Sequence, residues 1–398
     1  MSRHEAAAAY TAAAYAKSTG KLGVVISCSG PGSTNLITGV ASAMRERIPL
    51  LVLTGQTIST RHGLGPAQET SPWFMDVCRA FEPFTKKSVW VSQAQLLPQN
   101  VRFASRIALQ QPQGPVHLAI PIDVQNTPIP RQIVADMALA RPFTITSSPS
   151  ESGVQQLVAF IRRGRGVVVI GAGAKRALIP SKIVVEFMDA VGWPVVTSAS
   201  GKGLIPETHH LSAGDLSLRC LWFLSHNNWF FFLLFPTPKT KTGIIGLSGH
   251  ARAEAAIKNA QRLLVLGSGL GETASGADWS VDFFSRVEIA QIDACPENIG
   301  RTFHPKIAIV CDIANLIPPL LQALGPNPND TRVATASLPP FEKPDSTVGK
   351  HIETLASLIP KNALVYSDIG EVCLSAAFFV FLCGAPPTTF REKKPLFV

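Results

Sequence analysis

A carboxylate near the start of the chain, a glycine turn and a later polar loop could each do chemistry. Glu5 is the only acid before Glu46, so no other early carboxylate competes with it. Pro31 and Asn35 lie in the run Ser29-Gly30-Pro31-Gly32-Ser33-Thr34-Asn35, and Gln68 stands beside Glu69 at the end of Gly63-Leu64-Gly65-Pro66-Ala67-Gln68-Glu69. A carboxyl set in a partly buried place has a raised pKa and can share a proton with a ligand. A glycine turn that opens a helix can receive an anion or a nucleotide. Pro31 weighs against a phosphate cradle, because it removes one backbone donor. On these residues alone the turn is open to either use, and Glu5 also reads as an acid well placed at a helix N-terminus.

The elements that must hold these residues are legible. Glu5 to Lys17 is almost all alanine and predicts a helix, with Lys17 suited to the last turn and Gly20 to the stop. Gly23 to Cys28 is a short β-branched run and predicts a buried strand. Ser33 or Thr34 can cap a helix running to about Arg45. Pro49 to Thr54 predicts a second buried strand. Strand, glycine turn, helix and strand make a parallel α/β unit whose working loop is at the strand's carboxyl end.

Arg3-His4-Glu5, the glycine turn, and Ile48-Pro49-Leu50-Leu51-Val52-Leu53-Thr54-Gly55-Gln56 follow in an order that resembles the pyrimidine-binding domain of thiamine-diphosphate-dependent enzymes, the acetolactate synthase group above all. Phe84-Thr85-Lys86-Lys87 and Gln113-Gly114-Pro115-Val116-His117-Leu118-Ala119-Ile120-Pro121-Ile122-Asp123-Val124 are similar to later segments of that domain. The resemblance implies that Glu5 is the catalytic carboxyl, sharing a proton with the pyrimidine ring, and that Glu5, Pro31, Asn35 and Gln68 line the cofactor. It implies thiamine diphosphate with Mg²⁺, a 2-oxo acid substrate such as pyruvate, and a homodimer or homotetramer. A cytoplasmic location is implied, or an organellar one if a targeting segment precedes Glu5, which sits closer to the start than the family has it. Flavin is not expected: Pro112 stands where acetolactate synthases carry an arginine, and Gly271-Glu272-Thr273-Ala274 replaces a flavin loop.

The expected architecture is a series of doubly wound parallel-sheet α/β domains. Residues 1–130 form the pyrimidine-binding domain, 151–325 a central Rossmann-like domain, and 346–398 the start of a diphosphate-binding domain. The Pro-, Ser- and Thr-rich stretch 126–150 reads as a linker. The central domain has strands expected at Gly166–Ile170, Trp193–Ser198, Arg262–Leu266, Val287–Asp293 and Ile307–Asp312, and a helix at Ile179–Val191. Its phrase Gln291-Ile292-Asp293-Ala294-Cys295-Pro296-Glu297-Asn298-Ile299-Gly300 is similar to the same family. Read by itself, the turn Gly171-Ala172-Gly173-Ala174 also permits a plain nucleotide-binding domain.

Two stretches depart from the pattern. Residues 216–242 carry Trp222, Phe223, Trp229, Phe230, Phe231, Phe232 and Phe235 between segments that otherwise join directly. A translated non-coding stretch accounts best for that change, with a surface insertion or a membrane contact as alternatives. The apolar run Trp229 to Phe235 is well short of the roughly 20 residues of a spanning helix. After Asp368-Ile369-Gly370-Glu371 no Gly-Asp-Gly motif follows, so no residue of the chain is assigned to Mg²⁺. A non-catalytic fragment or pseudo-subunit is therefore the alternative function.

Composition gives no other class. The net charge is +9, but Arg219, Lys239 and Lys241 supply three of those charges and the tail after Phe378 two, leaving +4 without a basic stripe for nucleic acid. Arg162-Arg163-Gly164-Arg165 reads as a solvated helix end. The seven cysteines show no paired metal spacing and are expected to be reduced and mostly buried. Neither nucleic acid nor membrane is an expected partner.

Overall fold

The computed structural model describes residues 2–130, 147–206, 209–216, 251–271 and 286–326, in two compact units that part between Thr146 and Ser147. The expected insert beyond Leu216, the expected third domain at 346–398 and most of the linker lie outside the described residues. Among those described, no helix is long and apolar enough to cross a membrane.

The first unit begins with α1 (Glu5–Thr19), β1 (Gly23–Ser27), α2 (Pro31–Glu46) and β2 (Leu50–Gln56). It continues through α3 (Val77–Phe81), β3 (Lys87–Trp90), α4 (Leu97–Leu109), β4 (Val116–Pro121) and α5 (Ile122–Asn126). The four strands are parallel in the order β1-β2-β4-β3. One apolar cluster joins α1, α2 and α3 to one side of the sheet, and a second joins α4 to the other.

The alanines of α1 do more than favour a helix. Ala9, Ala12, Ala13 and Ala16 are its buried residues. A Cβ added to Gly39 of α2 would lie 2.5 Å from the Cβ of Ala9, so the two helices touch where both side chains are minimal. Gly20 ends α1 at φ 70°, its amide bonded to Ala16 O, and the chain reverses into β1. The start of α1 therefore lies at the carboxyl end of β1. Gly39→Val is expected to lower stability by about 1–3 kcal/mol, the usual overpacking cost, despite the loss of a helix glycine. Urea denaturation measures it; an unchanged midpoint would mean that the α1–α2 contact is not close packed.

Helix α2 corrects the expected cap. It begins at Pro31, with Gly30 as N-cap at φ 63° and no side-chain cap bond. Proline at the first position has its ring angle preset for the helix and lacks only a donor that would be orphaned there. The Ser33 and Thr34 hydroxyls instead donate to Cys28 O and Pro31 O.

The second unit is a six-stranded parallel sheet. Its strands are β5 (Val167–Ile170), β6 (Val195–Ser198), β7 (Ser212–Leu216), β8 (Arg262–Leu266), β9 (Glu288–Asp293) and β10 (Ile307–Val310). Their order, β10-β9-β8-β5-β6-β7, is that of a Rossmann sheet. Helices 151–162, 181–191 and 313–324 contribute Phe160, Phe187 and Leu316 to the main core of this unit. The basic run at 162–165 is not simply solvated: Arg162 Nη2 donates to Ala323 O and Leu324 O, closing the end of helix 313–324, and Arg163 pairs with Glu288.

Candidate active site

Glu5 is the first residue of α1, and His4 fixes how the helix starts: its Nδ1 accepts the Ala6 amide at 3.1 Å. Asn35, one turn into α2, donates through Nδ2 to Glu5 Oε2 at 3.1 Å. A Cβ built on Gly32 would fall 3.6 Å from Glu5 Oε1 and 2.5 Å from Cys28 Sγ. The carboxylate therefore lies along the side-chain-free start of α2, a cradle that any larger residue would fill.

Gln68 approaches from the following loop. A Cβ on Gly30 would meet the Cβ of Gln68 at 2.8 Å, and both residues have left-handed backbone, φ 63° and 59°. For Gln68 that conformation is uncommon and must be imposed by its surroundings. Glu69 imposes it. Its Oε1 accepts the Gly63 amide at 2.7 Å and the Ser71 hydroxyl, and its Oε2 accepts the Gly65 amide at 3.2 Å. Of the Gln-Glu pair, the glutamate folds the loop and the glutamine faces the glycine turn.

All four sequence-predicted site residues thus gather around Gly30-Pro31-Gly32, with Pro31 exposed at the start of α2. Two contributors were not visible in the sequence: the His4 cap and the Cys28 wall. Among the described cysteines Cys28 is exposed, Cys78 half-buried, and Cys295 and Cys311 buried. The expected raised pKa of Glu5 is corrected. The Asn35 amide, then the backbone at the helix start, hold its carboxyl below 4.5, because both favour the ionised form and burial is too slight to oppose them. Asn35→Ala is expected to move the Glu5 pKa up toward 4.5, read by NMR titration of the carboxyl carbon. An unmoved pKa would show that the helix start alone sets it.

The glycines of the second unit make close backbone contacts. The Gly171 amide donates to Leu266 O and the Gly173 amide to Gly267 O. A Cβ on Gly171 would lie 2.2 Å from Gly267 O. These turns are small so that β5 and β8 can exit against each other, and their donors are spent on backbone. Gln291 completes the arrangement, donating to Ser268 O and Asn298 O and accepting the Gly300 amide.

A parallel α/β unit that presents a carboxylate over a glycine turn, followed by a Rossmann-order sheet, defines a doubly wound α/β class. Residues 1–76 match the family described as thiamine pyrophosphate enzyme, N-terminal TPP binding domain, and residues 154–220 and 234–324 match its central domain. The chain belongs to the thiamine pyrophosphate enzyme family. It is 29% identical to the "Probable acetolactate synthase large subunit" of Methanocaldococcus jannaschii, over 81% of this chain and 49% of that protein. It is 26% identical to the acetolactate synthase isozyme 1 large subunit of Escherichia coli, over 93% of this chain and 60% of that one. The chain therefore spans about half the length of the curated relatives it matches. A solved chain from Mycobacterium smegmatis, described as a thiamin diphosphate-dependent enzyme, has the same fold, with a TM-score of 0.71 at 20% identity over 95% of this chain and 66% of that one.

Proposed function

We propose that the chain serves thiamine-diphosphate-dependent chemistry of acetolactate synthase type on a 2-oxo acid such as pyruvate, with Mg²⁺ as the cofactor's counterion. The observation that carries this reading is the Glu5 carboxylate, anchored by Asn35 beside the bare surface of Gly32. A flat ring nitrogen can approach a carboxylate there without meeting a side chain. Glu5 would hold a proton against that nitrogen, Asn35 would orient the carboxylate, and Gln68 would close the turn from the opposite side. A ring laid over Glu5 would also remove water from it and raise its pKa, opposing the Asn35 effect. Thiamine diphosphate, when bound, supplies the carbanion chemistry of decarboxylation and carbon–carbon bond formation.

The acetolactate synthase names of the relatives support this substrate class. A homo-oligomer fits the exposed Leu64, Trp73 and Phe74 on the loop that carries Gln68. A cytoplasmic location goes with the same reading. Flavin is left out of it because the Gly171 and Gly173 amides are already bonded.

The alternative to this reading is a non-catalytic subunit. Isothermal titration of the purified chain with thiamine diphosphate, with and without Mg²⁺, separates the two. Magnesium-dependent binding with acetolactate formation from pyruvate supports the enzyme; heat-silent titrations in both conditions favour the non-catalytic subunit.

A further inference from the structure

A second constellation lies in the other unit and takes no part in the site around Glu5. Asp189, near the end of helix 181–191, faces His209 and His210, two consecutive histidines on the loop that enters β7. His209 Nε2 is 3.3 Å and His210 Nε2 is 3.6 Å from the same oxygen, Asp189 Oδ1. The rings stand with centroids 4.4 Å apart, and one donor atom from each of the three residues falls within 4.8 Å of the others. We propose that Asp189, His209 and His210 form a binding site for one divalent transition metal ion of the zinc class.

Three features support it. Ligand atoms around a tetrahedral ion with bonds of about 2.0–2.1 Å are separated by roughly 3.3–3.4 Å, close to the two nitrogen–oxygen distances found here. Asp189 Oδ1 is closed to solvent, and two imidazole nitrogens converge on it. The donor set is also selective: two imidazoles and one carboxylate suit zinc, cobalt or nickel, whereas magnesium requires oxygen ligands.

The site is open on one side, since the Asp189 and His210 side chains are 46% and 37% exposed, so an ion can enter and keep a water as fourth ligand. His209 is the inner ligand, 11% exposed. Its Nδ1 accepts the Leu211 amide at 3.3 Å. Ligation through Nε2 moves the ring proton to Nδ1 and gives up that bond, which is longer than the usual range.

The test uses the full chain stripped with a chelator and titrated with Zn²⁺, with Mg²⁺, and with Co²⁺ followed by visible absorption. One Zn²⁺ per chain is expected, with cobalt bands of tetrahedral type and no response to Mg²⁺. His210→Ala and Asp189→Asn change exposed side chains and should each weaken Zn²⁺ binding by at least about tenfold, no less than the loss of an outer supporting contact. Circular dichroism controls for folding of each variant. Absence of zinc binding, equal binding of magnesium, or unchanged zinc affinity in both folded variants would each overturn the assignment.

Discussion

Under the proposed function, Glu5→Gln is expected to lower thiamine-diphosphate-dependent turnover of pyruvate by about 10²–10⁴-fold, the usual contribution of one positioned proton-sharing group. Glutamine keeps the length and can still accept from Asn35 Nδ2, so the α1–α2 contact and the bare surface of Gly32 are preserved. What is lost is a group able to give and retake a proton at a ring nitrogen. The fall should therefore be in kcat, with circular dichroism and the denaturation midpoint unchanged. Glu5→Asp is the informative partner: the acid remains but is drawn back toward α1, so the loss should be intermediate. Equal turnover by Glu5→Gln and the parent, measured under saturating cofactor and Mg²⁺, would remove Glu5 from its assigned role.

Much of the first unit was legible because each local signal agreed with the others. The β-branched run at 23–27, the glycine turn and the strand at 50–56 could only alternate with helices in a parallel sheet, and they do. The gathering of Glu5, Asn35 and Gln68 came from the family resemblance; spacing alone does not say that residues 30 apart will bond. The reason they do lies in Gly39 and the alanine face, whose shared smallness draws α1 onto α2. Composition displays such a glycine but not the helix it admits.

The misreadings share a physical origin. Ser33 and Thr34 are good caps by type, yet Pro31 starts the helix earlier and turns their hydroxyls to nearby carbonyls. The turn at Gly171 matches a nucleotide loop by composition, and its lack of side chains also answers to Gly267, a residue almost a hundred positions away. The direction of the Glu5 pKa depended on whether a donor or a dry wall lay against it. A donor did. Asp189, His209 and His210 passed unremarked for the same reason, since only the fold brings the helix end to the loop.

A large pH-dependent effect on stability is expected from His117, buried in β4, one of the two inner strands of the first unit's sheet. Its ring stacks on Phe81 at 4.2 Å, Nε2 shares a hydrogen bond with Thr54 Oγ1 at 2.9 Å, and Nδ1 shares one with Ser88 Oγ at 2.8 Å. Thr54 in turn accepts from Gln56, which accepts from Thr70, so the histidine is tied to the loop next to the site. Hydroxyls can serve one nitrogen as donor and the other as acceptor, which suits a neutral ring. Burial pushes its pKa from 6.5 down to about 3. Below pH 6.5 the unfolded chain takes up a proton that the folded chain refuses, so the stability present above that pH is lost progressively as pH falls toward 3. The loss is about 1.4 kcal/mol per pH unit, roughly 2 kcal/mol by pH 5. His117→Gln retains a donor and an acceptor but cannot titrate. Native-state hydrogen exchange of the β4 amides, corrected for intrinsic rates, should show a steeper decline between pH 7 and pH 5 in the parent than in the variant, the difference amounting to one proton. Parallel declines would mean that His117 protonates without unfolding, and that Thr54 and Ser88 can accept a charged ring where the stacked, dry geometry says they cannot.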